Sequence, residues 1–194
     1  MNKLHINDLF SLEQYHRKRP DFRKQVMAHK RHRQVPLGEH ATLYFEDALT
    51  MQYQVQEMLR VERIFEEEAI HEELATYNPL IPDGTNLKAT FMLEYADVDQ
   101  RRRELARLMG VEDRVWARVE GNTPVRAIAN EDLERSTAEK TSSVHFLRFE
   151  FTQAMIDALK QGASLAFGVD HEHYNYSVDP VSAEIRASLL ADFS

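Results

Sequence analysis

The chain has 194 residues and a mass of 22.6 kDa, and its 43% hydrophobic and 29% charged residues are typical of a folded domain and exclude a disordered chain. It has no cysteine, which excludes disulfides, thiolate nucleophiles and an iron–sulfur cluster ligated by cysteine within this chain. The net charge of −8 argues against nucleic-acid binding, and the absence of a signal peptide or a run of about 18 apolar residues predicts a cytoplasmic protein without a membrane partner.

The first forty residues are basic, with nine Lys or Arg against four Asp or Glu. Asn7 could cap a first helix, Pro20 is expected to end or restart it, and Asp21 could cap a second helix through "DFRKQVMAHKRHR". Residues 46–73 are acidic, with nine Asp or Glu and two arginines. The basic stretch could dock an acidic protein or RNA, but helices of opposite charge could also simply pack together or be solvated, which is the plainer interpretation.

After a short strand, "ATLYFED", a long helix is predicted from Ala48 to about Thr76, because no residue there breaks it. Its apolar stripe also contains Glu62, a carboxylate that must be paired, protonated or metal-bound if it is buried. Glu68 and His71 are three residues apart, which is the spacing used in di-metal bundles. That motif occurs once here and such bundles need it twice, so we treat the match as chance.

The turn "YNPLIPDG" marks a boundary between a helical region, 1–78, and a sheet domain, 85–194, which we expect to pack as one unit. The second region predicts strand, helix, two strands around a turn, strand, helix, strand and a final helix. Strand-helix-strand therefore occurs twice, which favours an α+β fold with a ferredoxin-like (split β-α-β) mixed sheet. An open, mainly parallel α/β sheet is the alternative.

Strand alternation places His145 and His171 on the apolar faces of their strands. Glu94 ends another strand. Antiparallel pairing would bring Glu94 towards His145, whereas parallel pairing would bring it towards His171 and His173. Imidazole and carboxylate suit Fe, Mn or Zn. The alternatives are an ordinary buried hydrogen bond between His and Glu, or an enzyme that uses Glu94 and His145 as acid and base.

Six stretches together resemble the bacterial family called domain of unknown function 3501. They are "FRKQVMAHKRHRQVPLG", "FEDALTMQYQVQEMLRVERI", "YNPLIPDG", "ATFMLEY", "ERSTAEKTSSVHFLRFEF" and "GVDHEHY". The resemblance implies genes encoded beside rubrerythrin-type di-iron proteins and iron–sulfur proteins related to heterodisulfide reductase subunits, and hence a redox or oxidative-stress system. The candidates that fall on these stretches are Glu57, Arg60, Glu62, Arg63, Glu94, His145 and His171, whereas His71 and His173 do not clearly do so.

Two hypotheses follow. The first is a metal-binding protein that uses some of Glu57, Glu62, Glu94, His145 and His171 and serves a redox system with di-iron and iron–sulfur partners. The second is a metal-free interaction module that docks an acidic or iron–sulfur partner through its basic N-terminal helices. A homo-oligomer is compatible with both.

Overall fold

The computed structural model describes residues 3–132, 135–137 and 139–193. The described part contains six α-helices: α1 (Leu12–Lys30), α2 (Ala48–Glu62), α3 (Glu67–Tyr77), α4 (Val98–Arg107), α5 (Gln153–Lys160) and α6 (Ala183–Leu190). It also contains nine strands: β1 (Gln34–Pro36), β2 (Ala41–Glu46), β3 (Asn86–Leu93), β4 (Val115–Val119), β5 (Val125–Arg126), β6 (Ile128–Ala129), β7 (Val144–Glu150), β8 (Leu165–His171) and β9 (Tyr174–Val178). Among these helices, none has both the length and the apolar character needed to span a membrane.

The first helix runs through the proline that was expected to end it. α1 begins after Ser11, which forms a capping box with Gln14, and continues past Pro20 to Lys30. One face carries the buried side chains Tyr15, Phe22 and Val26. The prediction of two helices separated at Pro20 was therefore wrong, because packing of this face stabilises the helix beyond the local cost of proline.

The predicted long helix is two helices. α2 ends where Arg63 adopts the left-handed conformation, with φ of 56°, and α3 begins four residues later at Glu67. The break lets Leu59 of α2 and Leu74 of α3 share one buried cluster with Ile81. Tertiary packing has overridden a sequence that contains no helix breaker.

The strands form two sheets in which every described pair is antiparallel. The first sheet has the order β1-β2-β3-β7-β6 and the second has the order β5-β4-β8-β9. The α+β class is confirmed, but neither the single mixed sheet nor the parallel alternative is what the structure shows. The physical reason is that both predicted strand-helix-strand units, β3-α4-β4 and β7-α5-β8, cross from the first sheet to the second instead of returning to a parallel neighbour.

One apolar core lies between the two sheets. Phe45 and Phe149 of the first sheet contact Phe167 of the second, with ring centroids 4.8 and 5.6 Å apart. All three rings are buried, and such aromatic contacts stabilise the fold beyond the area that they bury. In the first sheet, β1 and β2 lie beside β3 and β7, so the first 78 residues contribute two strands to that sheet.

The stretch "GVDHEHY" is a β-hairpin and not the end of one strand. His171 of β8 pairs with Tyr174 of β9, and Glu172 and His173 form the turn between them. β9 was missed by the sequence prediction. Its Tyr174 hydroxyl donates to the carbonyl of Leu37 at 2.7 Å, which ties the second sheet to the turn between β1 and β2.

Candidate functional site

The five predicted metal ligands do not converge. Glu57 and Glu62 lie on α2, Glu94 follows β3, His145 lies on β7 and His171 ends β8 in the other sheet. Within residues 3–132, 135–137 and 139–193, no group of three or more His, Asp or Glu side chains is placed to hold a metal ion. The metal-binding hypothesis stays a prediction, and this geometry gives it no support.

Glu94 directly follows β3 and His145 lies on the neighbouring antiparallel strand β7, but their side chains point to opposite faces of the sheet. His145 is the register partner of Phe91 and points into the core, whereas Glu94 is three residues beyond Phe91 and therefore points outward. The exposed Glu94 carboxylate lies 3.4 Å from the Tyr44 hydroxyl. The two side chains thus do not form an acid–base pair in this structure.

His145 belongs to a buried hydrogen-bonded network. Its Nε2 donates to the Ser142 carbonyl at 3.0 Å and lies 2.9 Å from the Thr141 hydroxyl, while the Asn130 amide donates to its Nδ1 at 3.0 Å. The Thr141 hydroxyl donates to buried Glu112 at 3.1 Å. These partners fit a neutral imidazole with the proton on Nε2, and burial lowers the pKa of His145.

This network links side chains that lie far apart in the sequence before β7. Glu112 accepts a second hydrogen bond from the Ser136 hydroxyl at 2.6 Å, and Asn130 lies on the other side of residues 131–135 from Ser136. His145 therefore connects residues on both sides of 131–135. Sequence analysis identified His145 but missed Glu112, Thr141 and Asn130, since nothing in their local sequence shows that they meet.

His171 and Glu57 have their own partners. The His171 Nε2 donates to the Met109 carbonyl at 3.1 Å, and its Nδ1 accepts from the His173 amide at 3.2 Å. Glu57 accepts two hydrogen bonds from Arg19, at 2.7 and 2.8 Å, and one from Tyr15 at 2.6 Å. The Arg19 hydrogen bonds lower the pKa of Glu57 to about 2. Glu62, predicted on an apolar stripe, is exposed.

The exposed side of α1 and the residue that caps its C-terminus carry a set of cations that we call the basic face: Arg17, Lys18, Arg23, Lys24 and Arg31. None of them forms an ion pair with a residue in the described part of the chain. Of the α1 arginines and lysines, Arg19 makes the ion pair to α2, through Glu57. Packing against the acidic helices therefore neutralises little of the charge of α1.

A cavity of about 380 Å³ opens beside the last turn of α1, between that helix and the outer face of the first sheet. We call it the α1 cavity, and it is lined by Met27, Lys30, Arg31, Gln34, Tyr44, Glu46, Thr90 and Met92. Met27, Tyr44 and Met92 supply apolar surface, and Lys30 and Arg31 add positive charge. Such a volume lies in the lower part of the range for ligand pockets.

A larger cavity of about 570 Å³ lies between α3 and strands β3 and β7. Its charged groups are largely satisfied internally. Arg148 pairs with Glu131 and Glu150, at 2.8 and 2.5 Å, and the Arg135 guanidinium lies 4.4 Å from the centre of the Phe146 ring. The basic face and the α1 cavity, whose cations lack ion pairs within the described residues, form the stronger candidate site.

The model of the family described as "Protein of unknown function (DUF3501)" matches residues 3–193. The chain belongs to the DUF3501 family. The resemblance seen in the sequence is confirmed, and it covers both the basic face and the His145 network. A comparison with curated proteins gave no match to this DUF3501 chain.

A solved structure extends the comparison to the fold. The DUF3501 chain is similar to a protein from Burkholderia pseudomallei K96243, whose structure is titled "Crystal structure of novel protein of unknown function". The two are 50% identical over 100% of both chains, with a TM-score of 0.94. The two-sheet architecture is therefore shared with that protein.

Proposed function

We propose that this DUF3501 protein is a docking module that binds an acidic protein surface through the basic face of α1. The observation that supports the proposal is the concentration of cations without ion pairs on one helix of a chain whose net charge is −8. Lys18 also lies 4.6 Å from the centre of the Phe10 ring, but cations that form no ion pair among the described residues keep a net charge that can steer and orient a partner of opposite charge.

The spacing of the cations suits an elongated partner surface. Arg17, Lys24 and Arg31 are separated by seven residues each, which is close to two helical turns, so they follow one side of α1 over about 20 Å. An acidic helix or strand lying along α1 could meet all three. RNA is disfavoured because the rest of the strongly acidic molecule would repel its phosphates.

The family resemblance suggests which acidic proteins to test. It implies rubrerythrin-type di-iron proteins and iron–sulfur proteins as partners, and such partners would place this chain in a redox or oxidative-stress system. Docking needs no metal in this chain, so the proposal corresponds to the second of the two sequence hypotheses.

The experiment reverses two charges on the basic face. Arg17→Glu with Lys24→Glu should weaken binding of a fluorescent poly-glutamate peptide, and of a purified rubrerythrin-type protein from the same organism, by about tenfold or more. Binding by the unmodified protein should also weaken when salt is raised to about 0.5 M, because the Debye length shortens. Fluorescence anisotropy and co-purification measure the two interactions.

The matched control is Arg102→Glu with Arg103→Glu, which makes the same change of net charge on exposed positions of α4. The control should bind both probes within about threefold of the unmodified protein. Equal losses in the two variants would show a non-specific charge effect, and unchanged binding in the α1 variant would overturn the proposal.

A further inference from the structure

The junction between α2 and α3 forms an acidic corner with two exposed apolar side chains. We define the acidic corner as Val61, Glu62, Phe65, Glu66, Glu67 and Glu68. Val61 is 62% exposed and Phe65 is 66% exposed. The value for Phe65 is the highest among the large hydrophobic side chains of the described residues. Exposed aromatic rings of this kind favour contact with another surface.

The acids of this corner have little compensation within the molecule. Glu62, Glu66 and Glu68 form no ion pair in the described part of the chain, and Glu67 lies 3.7 Å from exposed His71. The density of negative charge extends to the neighbouring Glu73, whose pKa is raised by partial burial and by the nearby carboxylates of Glu62 and Glu72.

The acidic corner and the α1 site have complementary properties. The corner offers the exposed Phe65 ring, which is followed in sequence by three glutamates, 66–68, and preceded, two residues earlier, by Arg63. The α1 cavity offers Met27, Met92 and Tyr44 bordered by Lys30 and Arg31, and its lining also includes the Glu46 carboxylate. Methionine side chains adapt to an inserted ring and make favourable sulfur–aromatic contacts. Because Phe65 is exposed in its own molecule, it is available to a different copy of the chain.

We propose that a second copy of this chain occupies the basic face, with Phe65 of one copy inserted in the α1 cavity of the other. Glu62 and Glu66 then lie against Lys24 and Arg31. The inference rests on the proposed function, because it uses the same surface and names its partner. Each copy carries both surfaces, so the contact is reciprocal in a dimer or repeats head-to-tail in a ring or chain.

Sedimentation equilibrium at low salt, over a series of protein concentrations, tests the association. The average mass should rise above that of the 22.6 kDa monomer with increasing concentration and return towards it at high salt. Phe65→Ser should abolish the rise, whereas Val98→Ser, at a 64% exposed apolar position on α4, should leave it unchanged. A monomer at every concentration would overturn the inference, as would association that survives Phe65→Ser.

A charge-swap experiment identifies the two surfaces. Glu62→Arg with Glu66→Arg should not self-associate, nor should Lys24→Glu with Arg31→Glu, because each places like charges across the contact. A mixture of these two variants should form a mixed complex, because both possible contacts then pair opposite charges. The unmodified acidic corner of one variant meets the unmodified basic face of the other, and the two reversed surfaces also match. Failure of the mixture to associate would contradict the assignment of surfaces.

The two proposals can fail separately. Phe65→Ser leaves the basic face intact, so at protein concentrations where the unmodified protein is monomeric it should bind the poly-glutamate peptide as the unmodified protein does. Loss of self-association with retained peptide binding is the expected result. Self-association that depends on Phe65 in a protein that binds neither the peptide nor the rubrerythrin-type protein would support the second copy as occupant and overturn docking of other acidic proteins.

Discussion

His145 shows how a buried titratable side chain can serve the fold. The imidazole is fully buried, and Asn130, Thr141 and the Ser142 carbonyl surround it with hydrogen-bonding partners. A protonated imidazole would present a second N–H group to the amide nitrogen of Asn130, which is itself a donor. Burial, which lowers the pKa of His145, and this arrangement of donors both favour the neutral form in the folded protein.

We expect the stability contributed by His145 to fall as the solution is acidified. Its pKa is lowered in the fold, so below about pH 6.5 the unfolded chain binds a proton that the folded chain resists, and unfolding becomes more favourable. His145→Gln should lower the free energy of unfolding by about 1–3 kcal/mol at pH 7.5. It should also flatten the pH dependence between about pH 7 and pH 5 by at most one proton, or about 1.4 kcal/mol per pH unit.

Urea denaturation at a series of pH values measures both effects. His16→Gln, at an exposed position on α1, is the control and should change neither the stability nor its pH dependence appreciably. An unaltered pH dependence in His145→Gln would show that this imidazole does not distinguish the folded from the unfolded state.

At the scale of one helix, α1 contains a proline at an exposed interior position. Proline has no N–H group to donate to the carbonyl of His16, four residues earlier, and its ring crowds that carbonyl. Pro20→Ala should therefore raise the free energy of unfolding by about 1–2 kcal/mol, the helical gain being partly offset by the greater freedom of the unfolded chain. Thermal and urea denaturation measure the change, and Ala28→Pro, close to the end of the same helix, should have the opposite sign.

Helix ends illustrate what local sequence could and could not predict. The N-terminus of α2 was predicted at Ala48, where the helix does begin, and the side chain of the preceding Asp47 caps it by accepting from the Thr50 amide. The break at Arg63 was not predictable, because no glycine or proline marks it and the left-handed residue is an arginine. Caps depend on neighbouring residues, whereas this break depends on Leu74 and Ile81 reaching the cluster of Leu59.

For the whole molecule, the predicted alternation of β7 and β8 placed His145 and His171 correctly towards buried surface. Which strands become neighbours was not determined by that alternation, because crossing helices can return to one sheet or pass to another. The candidate site depends on the same long-range information. The charge of α1 was visible in the sequence, but the α1 cavity requires β2 and β3 to lie beside its last turn.

The arrangement of the sheets predicts that the molecule unfolds as one unit. β2 lies between β1 and β3, so residues from both sides of the turn at 78–84 form one sheet. Leu59 belongs to the apolar cluster of the helices, and Phe167 belongs to the core between the two sheets. Phe167→Ala should cost about 3–5 kcal/mol and Leu59→Ala about 2–5 kcal/mol. Each should shift the same single transition.

Two probes separate this outcome from independent unfolding of the helical region. Trp116 is the single tryptophan and lies on β4, so its fluorescence reports on the second sheet, while circular dichroism near 222 nm reports mainly on the helices. The two urea transitions should coincide in the unmodified protein and in both variants. If Leu59→Ala moved the helical signal to lower urea while the Trp116 signal stayed in place, the helical region would unfold separately, because its cluster would then be coupled only weakly to the core between the sheets.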